Sequence, residues 1–319
     1  MKAKYKHIFG PVPSRRFGRS LGIDLVPFKT CSLDCIFCQL GRTTHKTVTR
    51  KPYVPIESVL DEFTDWFNSG GDADYITLSG SGEPTLHSRF GDVLQFIALK
   101  TKIPSVLLTN STLFHLPEVR EAAVHADVVK MSLSVWDQTY FQHVNRPHHE
   151  LDFEKIVDGM RQFRNHYKGQ IWIEVFLIAG VNAIPADVQG IAQRIQRIKP
   201  DRIHLNTAVR PHAEDFVNAL SGRELNQLAP LFHPIAEVIP DFHTDLTEHG
   251  QFNENAIVEM LQRRPCTADQ IGKAFGMHLN ETFKYLGELL KNNQIQVVKK
   301  NQNKFYTSVN HVPDRAAYL

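Results

Sequence analysis

Strand-length apolar runs alternate with amphipathic helical stretches through most of this chain, and that rhythm restricts its fold more than any other feature. The runs are "SLGIDLVPF" (20–28), "DYITLSG" (74–80), "SVLLTN" (105–110), "VVKMSLS" (128–134), "IWIEVFLIAG" (171–180) and "RIHLNTAV" (202–209). Between them, residues 56–68, 153–167 and 186–198 carry apolar side chains at helical spacing. Such alternation predicts βαβ units and a parallel sheet. Strands that are almost continuously apolar suit a sheet covered by helices on its outer face. Six repeats fall short of a closed eightfold barrel, so the expected fold is α/β, a partial (β/α)6 TIM-type barrel. Ligands of parallel sheets gather at the carboxyl ends of the strands, and chemistry is expected at that rim.

Composition narrows the setting. No apolar run approaches the roughly 18 residues of a membrane span, and the basic start "MKAKYKHIFGPVP" lacks the apolar core of a signal peptide. A cytoplasmic protein is the expectation. A net charge of +2 does not mark a nucleic-acid binder. Four cysteines in 319 residues argue against a disulfide framework. Three of them, Cys31, Cys35 and Cys38, fall in "KTCSLDCIFCQLG" (29–41), directly after the first strand. A structural zinc site closes with four protein ligands, and Cys266 is far downstream. Three thiolates can instead hold a [4Fe-4S] cluster by three irons and leave the fourth open to a small molecule. An open iron can chelate the amino and carboxylate groups of S-adenosylmethionine (SAM), and an electron can then break a carbon–sulfur bond.

The CxxxCxxC spacing, with aromatic Phe37 before the last cysteine, resembles the radical S-adenosylmethionine enzymes. The resemblance to their core covers residues 1 to about 245. It implies a [4Fe-4S] cluster on Cys31, Cys35 and Cys38, SAM as cofactor, and a low-potential electron donor of the flavodoxin or ferredoxin type. "LSGSGEPTLH" (78–87) resembles the family's GGEP-type element, with Ser81 in place of the first glycine of the usual pair. Gly82 and Glu83 are carried over as SAM contacts, Asn110 and Ser132 as polar contacts ending the third and fourth strands, and Phe37 as a further contact. By themselves, Asn110 reads equally as a turn or cap residue and Ser132 as a hydroxyl satisfied within the sheet. Arg146 and Arg210, each before a proline near the rim, are candidates for a substrate carboxylate or phosphate. Glu174 lies in so apolar a strand that it must find a partner or face the lumen. "GPVPSRRFGRSLG" (10–22) reads as a loop, or as a basic lip that meets an anionic substrate. This lead-in and "SGEPTL" resemble the wybutosine-pathway radical enzymes that act on transfer RNA, which points to a nucleoside in RNA. Those relatives use a second cluster, and this chain has only Cys266 to spare, so the same reaction is not expected.

After residue 251 the pattern changes. Helices at 254–264, 267–275 and 280–293, then a hairpin of "QIQVVKK" and "KFYTSV", predict a winged helix-turn-helix domain over 252–310, following a core over 1–245. Thr267 and Gln270 form a capping-box pattern, and Phe283, Leu286, Leu289 and Leu290 form an apolar stripe. Residues 252–308 hold eight Lys/Arg against five Asp/Glu, a mild excess, with Lys299, Lys300 and Lys304 the candidates for phosphate contact. The unit is expected to meet RNA or a protein partner. The competing function is a redox-sensing iron–sulfur DNA-binding regulator, which would not require the polar rim residues.

Overall fold

The computed structural model describes residues 5–239, 254–300 and 303–309. The N-terminal part contains β1 (Ile8–Ser14), β2 (Gly18–Ile23), β3 (Thr30–Cys31), β4 (His45–Lys46), α1 (Ile56–Asn68), β5 (Tyr75–Leu78), α2 (Phe90–Lys100), β6 (Ser105–Thr109), α3 (Pro117–Ala123) and β7 (Val128–Ser132). Next come α4 (Gln138–Tyr140), which runs into a π-turn at Phe141–Asn145, then α5 (Phe153–His166), β8 (Gln170–Leu177), α6 (Pro185–Ile198), β9 (Arg202–Thr207), α7 (Gly222–Leu228) and β10 (Glu237–Val238). One eight-stranded sheet has the order β1-β2-β5-β6-β7-β8-β9-β10. All neighbours pair in parallel except β1 with β2. The protein is thus α/β with a mostly parallel sheet whose margins are β1 and β10.

Alternation along β8 shows how the sheet separates its faces. Ile171, Ile173, Val175 and Leu177 are fully buried in the main core with α5 and α6 residues such as Ile156 and Ile191. Glu174 and Phe176, on the opposite face, line a cavity. Helix α1 buries Ile56, Val59, Phe63 and Trp66, one stripe at helical spacing.

The segment 10–22, expected as a loop, is instead most of the β1–β2 hairpin. Pro11 and Pro13 read as loop residues, yet a margin strand tolerates them because its outer N–H groups need no ladder partner. Glu62 of α1 accepts hydrogen bonds from the backbone N–H groups of Lys6, His7 and Ile8 and fixes the hairpin's entry.

Residues after 253 form α8 (Glu254–Arg263), α9 (Ala268–Phe275), α10 (Leu279–Lys291) and the antiparallel hairpin β11 (Ile295–Lys300) and β12 (Asn303–Ser308). The expected boundary between 245 and 252 lies outside the described residues. The capping box forms, Thr267 accepting from the Gln270 N–H and Gln270 from the Thr267 N–H. Cys266 is fully buried beside Leu261, Ile271, Leu286 and Leu289. Phe283 departs from the expected stripe and is 47% exposed, because α10 turns Thr282, Leu286 and Leu289 inward. This small core packs on Val12 of β1.

Candidate active site

The cysteine loop is pinned on both flanks. Lys29, at φ 57°, turns the chain out of β2, and its N–H donates to the Ser81 carbonyl at 2.7 Å. The Glu83 N–H returns a bond to the Thr30 carbonyl at 3.1 Å. Gly82 sits between, and a Cβ there would lie 1.8 Å from the Thr30 oxygen, so no other residue fits without moving the backbone. On the far flank the Asp34 and Ile36 N–H groups donate to the carbonyls of Asn145 and Val144 in the π-turn, each at 3.0 Å. The Asp34 carboxylate accepts from the Thr43 N–H and from Arg42, and the loop's exit folds back on itself.

Each thiol has its own donor. Asn110 Nδ2 points at Cys31 Sγ at 3.4 Å, Asn145 Nδ2 at Cys35 Sγ at 3.3 Å, and Lys29 Nζ at Cys38 Sγ at 3.1 Å. Burial pushes the Cys31 thiol up to about 12, with Glu83 adding to the effect. Burial and the two neighbouring cysteines raise Cys35 as well. A metal would have to displace these protons. Three thiols fall one short of the four protein ligands that close a structural zinc site. Three sulfurs with N–H donors aimed at them fit an iron–sulfur cluster.

The rim residues gather beside this loop. Glu83 is 2% exposed, and its carboxylate accepts from the Thr85 N–H, the hydroxyls of Thr85 and Thr109, and the Asn110 N–H. Asn110 also donates to Ser32 and accepts from the Thr112 N–H, so it caps its own turn while touching the cysteine loop. The turn reading of Asn110 therefore holds. Ser132 ends β7 opposite Glu174 in register. Phe37 stacks on Phe176 with ring centroids 4.4 Å apart.

Beside Phe37 and Cys38 opens a cavity of about 360 Å³ that Glu174 and Arg210 also line. Glu174 finds both expected outcomes: it faces the cavity and it is paired, accepting from Arg16, from Lys130 at 2.6 Å and from Asn206 at 3.2 Å. Burial alone would raise its carboxyl, but Arg16 and Lys130 outweigh that and hold it well below the usual range. Arg210 is 4% exposed and donates to Gln39, next to Cys38. Arg146 does not line this cavity; its guanidinium pairs with Glu214, and its left-handed backbone at φ 46° closes the π-turn. The ammonium of Lys300, one of the three expected phosphate contacts, is buried, and Asp215 of the core favours its charge.

Sequence reasoning missed Lys29, Lys130, Asn145 and the pair Arg263 and Arg264. Lys130 in "VVKMS" carried the same signal that exposed Glu174, a charge inside an apolar strand. Lys29 is only nine residues from Cys38, but nothing in its local pattern distinguishes it from a solvated lysine. Asn145, Arg263 and Arg264 gave no local signal, since their partners lie far away in the chain.

The sequence pattern of the Radical SAM superfamily matches residues 25–213, more than half of the chain, and takes in the cysteine loop and the rim residues beside it. The chain belongs to the radical SAM superfamily. It is similar to a UPF0026 protein of Helicobacter pylori, 32% identical over 94% of this chain and 96% of that one. It is also 34% identical, over 91% of its length, to a Brachyspira hyodysenteriae protein named GTPase Obg, of which it spans 43%. Among solved structures, a radical SAM methyltransferase from Sphaerobacter thermophilus aligns at 15% identity and a TM-score of 0.49, over 72% of this chain and 68% of that one. Members of this superfamily generally bind an iron–sulfur cluster and SAM. No helix among the described residues is long and apolar enough to cross a membrane.

Proposed function

We propose that this radical SAM protein is an enzyme that uses SAM to abstract hydrogen from an anionic substrate bound beside Cys38. Cys31, Cys35 and Cys38 hold a [4Fe-4S] cluster. When bound, that cluster supplies the electron that breaks the C5′–S bond of SAM, giving methionine and a 5′-deoxyadenosyl radical. The chain's own residues do the rest. Lys29, Asn110 and Asn145 orient and electrostatically support the thiolates. Gly82 lets the strand end approach the cysteine loop, and Glu83 fixes the Asn110 turn. Gly82, Glu83, Asn110, Ser132 and Phe37 are assigned to SAM, and Glu174 and Arg210 to the substrate. A flavodoxin- or ferredoxin-type donor delivers the electron, and the wybutosine-pathway likeness makes a nucleoside of RNA the substrate to try first.

One observation carries this reading: three cysteine sulfurs on one short loop, each met by a separate donor from elsewhere in the site. The test is anaerobic reconstitution with iron and sulfide, followed by SAM and a strong reductant. 5′-Deoxyadenosine should form and should vanish in Cys35→Ala. Its persistence in that variant would overturn the assignment.

A further inference from the structure

We propose that the C-terminal unit is coupled to SAM binding, and that Arg263 is the positioning residue that carries the coupling, acting through Asp24 on the turn that leads into Gly82. The coupling rests on the enzymatic reading above and extends it from the residues assigned to SAM to what holds them in place.

Ser81 stands where the GGEP-type element of the family has a glycine, and its side chain makes contacts that a glycine could not. The hydroxyl donates to Asp24 and accepts from Arg263 Nη1 at 3.0 Å. The Ser81 N–H donates to the same Asp24 oxygen at 3.1 Å. The Ser81 carbonyl accepts from the Lys29 N–H, and the Lys29 ammonium reaches Cys38. Ser81 is thus bound toward α8 on one side and toward the cysteine loop on the other. Gly82, assigned to SAM, is the next residue.

Asp24 makes this arrangement depend on α8. It follows β2, is 8% exposed, and tucks so closely under Gly80 that a Cβ there would lie 2.6 Å from its carboxyl carbon. Its Oδ1 has no hydrogen-bond partner, while Oδ2 accepts from Arg263 at 2.6 Å. Arg263 is the cation that pairs with it among the described residues. A buried carboxylate stripped of its cation has to draw harder on its remaining donors or take up a proton. The remaining donors are the N–H and hydroxyl of Ser81, so the turn before Gly82 would shift.

Arg263 is itself fixed in place. Its guanidinium lies 4.0 Å from the centre of the Phe9 ring, and that ring lies so flat on Gly22 that a Cβ there would come within 2.0 Å of it. One turn earlier, Glu259 accepts from the Gly10 N–H at 3.0 Å. Sliding α8 along the hairpin would break these contacts together with the one to Asp24. Arg263 also lines the cavity beside Phe37 and Cys38, so the C-terminal unit borders the space assigned to the substrate. Coupling of this kind is reciprocal: if a seated α8 favours SAM, then SAM favours a seated α8.

The test uses the full chain reconstituted anaerobically with iron and sulfide. SAM is titrated calorimetrically, and hydrogen–deuterium exchange of the Glu254–Arg263 amides is followed with and without it. SAM should slow exchange in α8 of the wild type. Arg263→Met and Ser81→Ala should each weaken SAM binding about fivefold or more and lose the slowing. Arg263→Lys, which keeps a charge beside Asp24 and loses the fork, should fall between. Should Arg263→Met not fold, Ser81→Ala, which removes only a hydroxyl, decides. A merely structural role would speed α8 exchange equally with and without SAM. That result, or wild-type SAM affinity in a folded Arg263→Met or Ser81→Ala chain, overturns the coupling. Failure of the loaded wild type to bind SAM overturns the enzymatic reading and the coupling together, whereas SAM binding that leaves α8 exchange unchanged overturns the coupling alone.

Discussion

Glu174 sits in a strand whose neighbours are all apolar, and its carboxylate is held by Arg16, Lys130 and Asn206. Replacing one member of a buried ionic set leaves the others without compensation, which costs about 3–5 kcal/mol. Glu174→Gln should therefore lower the melting temperature at neutral pH. The pH dependence has a definite sign. In the folded chain this carboxyl ionises well below its ordinary 4.5, so its support is complete above about pH 4.5 and drains away as acid is added. Thermal melts of the metal-free chain from neutral to acid pH should show a shallower acid limb in the variant than in the wild type; parallel limbs would refute the pairing. Gly82 presents the opposite kind of constraint. It contributes no functional group, and only its lack of one allows the Thr30 carbonyl to come so near.

Two elements from distant parts of the chain meet where α8 packs on the β1–β2 hairpin. The Gly10 N–H donates to Glu259 at 3.0 Å, Arg263 lies 4.0 Å from the Phe9 ring centre, and Arg263 binds Asp24. The same Asp24 carboxylate accepts from Ser81, so α8 is tied to the turn that precedes Gly82. Arg263→Met should destabilise the fold by about 3 kcal/mol, since Asp24 is left buried and charged. Adding Asp24→Asn should restore much of that loss. Chemical denaturation of the two single variants and the double variant measures the coupling, and strictly additive losses would sink this account. Helix α1 was legible to the residue because Ile56, Val59, Phe63 and Trp66 recur at one spacing. Strands β8 and β9 were legible at their starts but ended earlier than their apolar runs, as at Leu177, where the chain leaves the sheet while staying buried. Helix α2 went unread: Arg89 gives it no side-chain cap, and it is buried on several sides from Phe90 to Ile97. The cysteines were legible because metal ligation demands local spacing. The cluster of Arg263, Asp24 and Ser81 was not, because its members are brought together only by tertiary packing.

At the scale of the molecule, the cysteine loop ties the sheet to the π-turn and to α8's anchoring turn through backbone and side-chain bonds. Filling that site should brace all of them, since a ligand that binds only the folded chain stabilises it by mass action. Reconstitution with iron and sulfide should raise the melting temperature by several degrees, and Cys35→Ala should abolish the gain. An equal rise in the variant would mean that the metal acts elsewhere. The sheet's two margins have a consequence for how copies of this protein meet. β10 is only two residues long, and β1 carries two prolines and an irregular register between Phe9 and Val12. Neither margin offers the long, regular row of free amides that a foreign strand needs as a template. Self-association through growth of this eight-stranded sheet is thereby discouraged, and contacts between copies across its margins have to come from side chains.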